Sequence, residues 1–325
     1  MNRAIAIGYL AGVSLGNVNA SHVEGNVMIT KKVTLPDGTL IPYISGQAIR
    51  RMFRDRLDDL GWSLSEPFSD VSGQEVTPPV EPWKYIDEDI FGYMDTKNKR
   101  RRTSPIRVSS LVGLFPFQGD RDLGTRSFEK FGKNMESGGN MFETEIYSNI
   151  FKGNILIEVD RIGFFLEKEL GKISKEVSNC EKIELPENKW GKSNKWAFKL
   201  AAGEKAKRLK DFFEALKYLW GGGRTARMLV DLSPRFLAMM FLDVKHPVFL
   251  EAFKVRYDNG GIVLDAQLLL ESIKKFEGKY SEIIFGMVSG FFANEDEIKS
   301  MCSECGAELK SIHEAIDFVK DKIME

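Results

Sequence analysis

The chain has 325 residues, 46 Lys and Arg against 47 Asp and Glu, and 43% hydrophobic residues. This composition predicts a globular protein with a large core and excludes disordered and fibrous classes. No run of about 18 uncharged apolar residues occurs, the N-terminus lacks the order of a cleaved signal, and the odd number of cysteines favours reduced thiols. The sequence therefore predicts a cytoplasmic protein with no membrane partner.

The near-neutral net charge conceals a segregation of charge along the chain. Residues 62–96 hold eight acids and one lysine, whereas residues 97–107 hold six basic residues and no acid. Residues 172–210 carry eleven basic residues against five acids, and residues 281–325 carry ten acids and four lysines. Local basic regions of this kind can bind a polyanion even when the whole chain is near neutral.

The first part of the chain predicts two strands and a helix. Buried strands are expected at 3–12 and 40–44, separated by an irregular Asn- and Gly-rich stretch and a turn at 35–38. A helix follows from Ser45. Residues 62–106 contain five prolines and no long periodicity, which indicates an insertion built over the core.

The second part predicts an alternation of strands and helices. An amphipathic helix is expected at 204–220, because its apolar residues recur at three-and-four spacing. The recurrence of strand, helix and strands twice predicts an α+β sandwich of ferredoxin-like type. The other elements expected here are a strand at 153–165, a long exposed hairpin at 170–200, strands at 226–232, 236–242, 249–257 and 283–289, and helices at 265–276 and 306–323.

The helix that opens at Ser45 carries an unusual charge pattern. Its apolar residues share one face, and Gln47, Arg50, Arg51 and Arg54 share the opposite one. Cations near a helix N-terminus oppose the helix dipole unless an anion lies there, and a phosphodiester backbone would fit. The pattern therefore favours a phosphate-binding helix.

The first residues of this helix agree with phosphate binding, and one alternative interpretation remains open. Ser45 can cap the N-terminus, and Gly46 would let a ligand approach the free backbone amides. The alternative is a solvated face with helical ion pairs, in which Arg51 pairs with Asp55 and Arg54 with Asp58.

Two further segments have compositions suited to anion binding. "GDRDLGTRS" at 119–127 places Arg121 and Arg126 among glycines and a hydroxyl, although an ordinary surface turn explains it about as well. "GGGRTAR" at 221–227 could bring the backbone and Arg224 close to a polyanion. A helix stop needs only one of its glycines, so three favour close approach.

Two patterns raise catalytic or metal chemistry. Cys302 and Cys305 form a C-x-x-C, but a structural zinc site needs four ligands and no second pair has suitable spacing. No metal or other cofactor is therefore expected. His22 and Glu24 could serve as base and acid for RNA cleavage, which leaves a metal-independent endoribonuclease as the alternative function.

Five segments in this order resemble the DevR-type branch of the seventh Cas protein family, of the RAMP superfamily: "NVNASHVEGNV", "LIPYISGQAIRRMFR", "GDRDLGTRSF", "ETEIYSNIFKGNILIEVDRIG" and "GGGRTARMLVDLSPRF". This family supplies the repeated backbone subunit of type I CRISPR surveillance (Cascade) complexes. The resemblance runs from residue 3 to about residue 241. It implies a ferredoxin-like (modified RRM) palm, a helical fingers insertion and a β-hairpin thumb. The implied divisions are palm at 1–61, 107–171 and 201–325, fingers at 62–106 and thumb at 172–200.

The resemblance also implies a function. The subunit would be non-catalytic, would polymerise along the spacer of a CRISPR RNA as a helical filament, and would join other Cascade subunits. It would grip the RNA backbone and leave bases open to pair with target DNA. Subtypes I-B and I-A are favoured. Related type III subunits cut RNA with an aspartate in the first loop; this chain has Glu24 and Asn26 there and no Asp between residues 3 and 37, which argues against nuclease activity.

The residues expected to bind RNA follow from the resemblance together with the charge pattern. They are Asn19, Asn26, Lys31, Ser45, Gly46, Gln47, Arg50, Arg51, Arg54, Arg107, Arg121, Arg126, Gly222, Gly223 and Arg224.

Overall fold

The computed structural model describes residues 3–66, 68–69, 76–126, 140–186, 195–222, 228–258 and 260–323. Within these residues the strands are β1 (Ala4–Gly16), β2 (Ala20–Glu24), β3 (Val27–Thr30), β4 (Lys32–Thr34), β5 (Leu40–Ile44), β6 (Phe68–Ser69), β7 (Val76–Thr77), β8 (Tyr93–Asp95), β9 (Arg100–Arg102), β10 (Ile106–Val108), β11 (Leu111–Gly113), β12 (Gly119–Arg126), β13 (Asn140–Glu158), β14 (Phe164–Leu166), β15 (Cys180–Glu184), β16 (Trp196–Leu200), β17 (Phe236–Leu242), β18 (Val255–Asp258), β19 (Gly261–Leu264), β20 (Tyr280–Met287) and β21 (Glu308–Lys310). The helices are α1 (Gly46–Asp59), α2 (Ile86–Phe91), α3 (Glu167–Leu170), α4 (Ala202–Lys217), α5 (Ala266–Lys274), α6 (Glu295–Glu304) and α7 (Ile312–Lys322), with short 3-10 turns at Val159–Arg161 and Gly171–Lys175.

The central sheet has the strand order of a ferredoxin-like fold. β17, β1, β13 and the β10/β11 segment lie side by side, and each neighbouring pair is antiparallel. Along the chain, α1 connects β1 to the β10/β11 segment and α4 connects β13 to β17. This split β-α-β arrangement, used twice, confirms the predicted α+β ferredoxin-like palm.

Alternation along β1 divides the core into two layers. Ile5, Ile7 and Tyr9 face the layer that holds α1, α4 and α7. Ala4 and Leu10 face the opposite layer, where α5 and α6 pack. The residues of α1 that are predicted to bind a ligand therefore lie on the side of the sheet that holds α1, α4 and α7.

The C-terminal part extends the sheet beyond β17. β20 pairs antiparallel with β17, and β21 pairs parallel with β20. The prediction of one helix from 306 was wrong: α7 begins at residue 312, where Ser311 and Glu314 form a capping box, and α6 was not predicted. Of the strand predicted at 249–257 only Val255–Asp258 forms, and the described residues of 226–232 make a single bridge, from Asp231 to Trp220.

The insertion at 62–106 and the segment at 164–200 meet beside the palm. In the described residues of the insertion, α2 is the α-helix, and β6–β7 and β8–β9 are two-stranded hairpins. β15 and β16 form an antiparallel hairpin, with β14 on the other side of β16. Trp83 from the insertion packs with Phe165 and Phe198 in a small separate core.

A buried ion network joins the insertion to the palm. Both oxygens of Asp89 on α2 are paired, one with Arg102 at 2.7 Å and the other with Arg208 of α4 at 2.8 Å. Arg102 also pairs with Glu169 on α3 at 2.9 Å. Because these charges are buried and mutually paired, the network fixes α2, β9, α3 and α4 relative to one another.

No helix among the described residues is both long enough and apolar enough to cross a membrane.

Candidate nucleic-acid interface

The sequence of α1 explains its position and its orientation. Ser45 caps the helix by accepting a hydrogen bond from the Ala48 backbone N–H at 3.3 Å. Ile49, Met52, Phe53 and Leu57 are buried against the palm. The Phe53 and Phe212 rings stack with centroids 4.7 Å apart, which joins α1 to α4. The opposite face of α1 is left for the charged residues.

The arginines on that face have different partners. Arg51 is 76% exposed and pairs with Asp55 at 2.9 Å, as the solvated-face alternative predicts. Arg54 does not pair with Asp58: its Nε lies 3.3 Å from Oδ2 of Asp87 on α2. Its guanidinium also covers the Phe91 ring at 4.9 Å. The insertion therefore supplies the partners of Arg54.

Arg50, like Arg54, is half-buried on this face. Among the described residues it has no carboxylate within 4 Å. Burial lowers its pKa, and the charge of Arg54 lowers it further. A half-buried guanidinium that is desolvated and repelled by a neighbouring cation is a favourable place for an external anion.

Gly46 has a packing role in the structure. A Cβ built there would lie 2.7 Å from the carbonyl oxygen of Val108. Glycine is thus required because β10 approaches the first turn of α1. This packing role is separate from the approach of a ligand to the backbone amides at Gly46, which stays a prediction.

The first loop and Gly221–Gly222 meet beside the middle of α1. A Cβ on Gly222, whose φ is +128°, would lie 3.1 Å from the Val18 backbone, and a Cβ on Gly221 would lie 3.0 Å from Met52. The buried Asn19 accepts the Lys31 N–H at its carbonyl. Its side-chain amide donates to the Tyr43 carbonyl at 3.4 Å.

These predicted residues form two groups on different sides of α1. Gly221 touches α1 at Met52. Met52 lies two positions along the helix from both Arg50 and Arg54, and two positions correspond to a rotation of about 200° around the helix axis. Arg50 and Arg54 therefore do not form one cluster with Gly221 and Gly222. Gln47 is exposed on the Arg side.

Arg107 lies on the other side of the sheet. It pairs in register with Leu156, which belongs to the second core layer, away from α1. Its guanidinium donates to the buried carboxylate of Glu158, which also binds Lys245 at 3.1 Å. Those cations lower the pKa of Glu158 against the opposing effect of burial.

The described residues of the predicted anion-cradling loop at 119–127, which are 119–126, form a strand. β12 pairs with the N-terminal half of β13, and Arg121 donates to Glu143 at 3.2 Å. The Glu143 N–H in turn donates to the Asn26 carbonyl at 2.8 Å. The predicted irregular stretch after β1 is the β2–β3 hairpin, and β3 runs parallel to β13. Arg121 and the exposed Asn26 thus lie together on an extension of the sheet. The positions along β13 with which this extension pairs are remote from α1.

Some predicted residues lie outside what the structure describes. Gly223 and Arg224 are outside the described residues. The backbone of Arg126 pairs with Asn140 at the end of β12, and its side chain is not described.

Two residues on or beside α1, Asp87 and Arg56, were not predicted from the sequence. Asp87 lies within a run of acids that the sequence argument treated only as part of the acidic stretch at 62–96. Arg56 was not selected because it falls on the apolar side of the helical pattern, yet its guanidinium covers the Trp220 ring at 4.7 Å. The adjacency of Trp220 to three glycines was the available signal.

The cysteines and histidines do not gather into a metal site in the described part of the chain, where no group of three or more His, Cys, Asp or Glu side chains could hold an ion. Burial raises the pKa of Cys302 to about 12 and also raises that of Cys305. Such thiols are poor nucleophiles at neutral pH.

His22 lies on β2 in an exposed polar array. Its Nε2 is 2.8 Å from Glu24 and its Nδ1 is 3.0 Å from the Ser21 hydroxyl. The His22 and Glu24 side chains are 60% and 65% exposed. An array this open to water is a weak site for acid–base chemistry, which benefits from exclusion of solvent.

The fold matches solved structures over almost its whole length. One chain of a structure titled "CRISPR RNA-guided surveillance complex" superimposes with a TM-score of 0.59 at 13% identity, covering 98% of this chain and 99% of that chain. A chain of a "CRISPR RNA-guided surveillance complex, pre-nicking" gives 0.55 at 12% identity, covering 93% and 99%. The chain thus has the palm fold of these proteins.

The family itself is shown by a match of sequence. The model of the family described as "CRISPR-associated negative auto-regulator DevR/Csa2" matches residues 83–259, which is more than half of the chain. The chain belongs to this DevR/Csa2 family, as its sequence motifs predicted. The match does not include α1. No curated protein matches the chain significantly.

Proposed function

We propose that the chain is a non-catalytic backbone subunit of a type I CRISPR surveillance complex, of the Cascade kind, and that it binds CRISPR RNA through the exposed side of α1. Membership of the DevR/Csa2 family and the likeness to chains of RNA-guided surveillance complexes support this function. The observation that carries the RNA site is Arg50, half-buried and without a carboxylate partner among the described residues.

The chemistry of α1 favours a phosphodiester over other anions. Arg50, Arg51 and Arg54 recur at helical spacing along one face, so successive charges can follow a polyanion rather than one isolated anion. Such contacts read backbone and not base identity. A guide-binding subunit needs this property, because the spacer sequence differs from guide to guide.

The same proposal assigns partners to the chain and roles to its parts. Copies of the chain would follow one another along the guide in a helical filament with other Cascade subunits, and the guide would pair with target DNA. The insertion at 62–106 would act as fingers and the hairpin at 172–200 as thumb, with the β15–β16 pairing as its stem. The unpaired thiols of Cys180, Cys302 and Cys305 support a cytoplasmic location.

The experiment is purification from a host that expresses a CRISPR array. Wild-type protein should carry spacer-containing RNA, seen in the absorbance ratio and by sequencing of the bound RNA. The Arg50→Glu and Arg54→Glu double variant should lose it. A matched control is Lys274→Glu with Lys299→Glu, which makes the same charge change on exposed residues of α5 and α6. If the α1 variant retains RNA as well as the control, the proposed RNA site is wrong.

The endoribonuclease alternative is tested in the same material. End-labelled guide RNA incubated with wild type and with His22→Ala should stay intact in both cases. Cleavage by the wild type that is lost in His22→Ala would establish the enzyme in place of the scaffold.

A further inference from the structure

The environment of Arg54 leaves one part of its guanidinium open. Nε donates to Asp87 at 3.3 Å, and the flat face of the group covers Phe91 at 4.9 Å. Among the described residues nothing accepts a hydrogen bond from either terminal nitrogen of Arg54. The side chain is 29% exposed. Its two terminal nitrogens therefore remain available for a bidentate contact, which is the geometry that arginine uses for phosphate.

The carboxylate that holds Arg54 is itself fixed. Asp87 is 4% exposed. Its Oδ1 accepts the Ser65 backbone N–H at 2.9 Å, and its Oδ2 accepts the Ser65 hydroxyl at 2.7 Å. Three contacts on one buried carboxylate leave it little freedom, so Arg54 has one preferred orientation. An open cleft of about 760 Å³ lies beside it, and its charged lining consists of Arg51 and Arg54 together with Glu66, Asp87 and Glu88.

We propose that Asp87 is a positioning residue for RNA binding: it orients the Arg54 guanidinium so that its terminal nitrogens meet a phosphate. This inference rests on the proposed function of α1. A carboxylate beside a phosphate site lowers the local positive potential, and without a positioning role it can only weaken RNA binding. Asp87 instead supports binding, because a pre-oriented side chain loses less conformational entropy when the phosphate arrives.

Electrostatics and the positioning role predict opposite effects of Asp87→Asn on RNA affinity, so this variant distinguishes between them. The change removes a negative charge, so electrostatics alone predicts tighter binding of a synthetic guide RNA to the purified protein. The positioning role predicts binding weaker by roughly fivefold at fixed salt, the size of an ordinary coupling between two contacting residues. The matched control is Asp55→Asn, which breaks the ion pair of the exposed Arg51. That control should bind RNA as tightly as wild type or more tightly.

A double-mutant cycle separates positioning from a general loss of structure. If Asp87 acts through Arg54, Asp87→Asn should weaken binding in the wild-type background and have no further effect on Arg54→Ala. Weakening of equal size in both backgrounds would show a structural role and overturn the inference, as would unchanged or tighter binding by Asp87→Asn alone. If Arg54→Ala itself binds RNA like wild type, the proposed RNA site on α1 fails, and that result is distinct from both.

Discussion

The Arg56 guanidinium lies over the indole ring of Trp220, 4.7 Å from the ring centroid, and donates to the Trp220 carbonyl at 3.3 Å. The same side chain pairs with Asp59 at 2.7 Å. Arg56 thus connects the last turns of α1 to the residue that precedes Gly221 and Gly222. Both glycines are in the positive-φ region, so the chain direction there is set by the backbone.

Replacing Arg56 should destabilise the palm. Arg56→Met keeps most of the aliphatic length and loses the cation–π contact and the hydrogen bond, so the free energy of unfolding should fall by about 1–2 kcal/mol. Urea denaturation measures the change. Arg51→Met, at a position whose side chain is largely exposed, should change it by less than about 0.5 kcal/mol. Equal effects at the two positions would show that the Trp220 contact contributes nothing.

The sequence was informative where structure is local. The N-cap at Ser45 and the apolar face of α1 were predicted because both depend on residues within one or two turns. The partner of Arg54 was not: the helical rule favoured Asp58, and the observed partner is Asp87, 33 residues away and brought in by the insertion. Tertiary packing decides such pairs, and one sequence carries no signal for it.

The strand errors have the same origin. The segment at 119–127 has two glycines and several charges, which favour a loop. Its described residues, 119–126, nevertheless pair along β13, because that strand continues beyond the palm and offers free backbone groups. The opposite error occurs in the described part, 228–232, of the segment at 226–232, where apolar residues predicted a strand. The exposed Leu229 shows that apolar character alone does not establish pairing there.

The buried ion network should be the most sensitive polar feature of the fold. Asp89→Ala would leave Arg102 and Arg208 buried beside each other without their shared carboxylate. We expect a loss of about 3–5 kcal/mol in the free energy of unfolding. Asp55→Ala, which breaks an exposed pair, should lose less than about 1 kcal/mol. Chemical denaturation of both variants tests this, and comparable small losses would contradict the assigned role of the network.

Replacement of glycine by alanine should change the stability of the protein differently at two positions. Gly222→Ala should destabilise the protein by more than about 1 kcal/mol, because φ is +128° and the new Cβ would press on Val18. Gly203 lies in α4 with open space around its Cβ position. Gly203→Ala should therefore be neutral or stabilising by up to about 1 kcal/mol. Thermal unfolding of the two variants measures the contrast, and the same sign at both positions would disagree with the backbone geometry.

Glu88 should make stability depend on pH. Burial raises its pKa to about 7, and the nearby charges of Asp87 and Glu81 act in the same direction, while the N–H groups of Val80 and Glu81 oppose them. The folded state therefore binds this proton more tightly than the unfolded state. The contribution of Glu88 is fully present below pH 4.5, the ordinary pKa of a glutamate side chain. It decreases as pH rises through about 7, with a total of about 3 kcal/mol.

Urea unfolding at pH 5 and pH 8 tests this dependence. Glu88→Gln removes the titrating group, so its stability should fall less between the two pH values than that of wild type. The exposed Glu277→Gln is the matched control and should keep the wild-type difference. If Glu88→Gln also keeps that difference, another group is responsible for it, and burial of the Glu88 carboxyl does not govern the stability of the insertion near neutral pH.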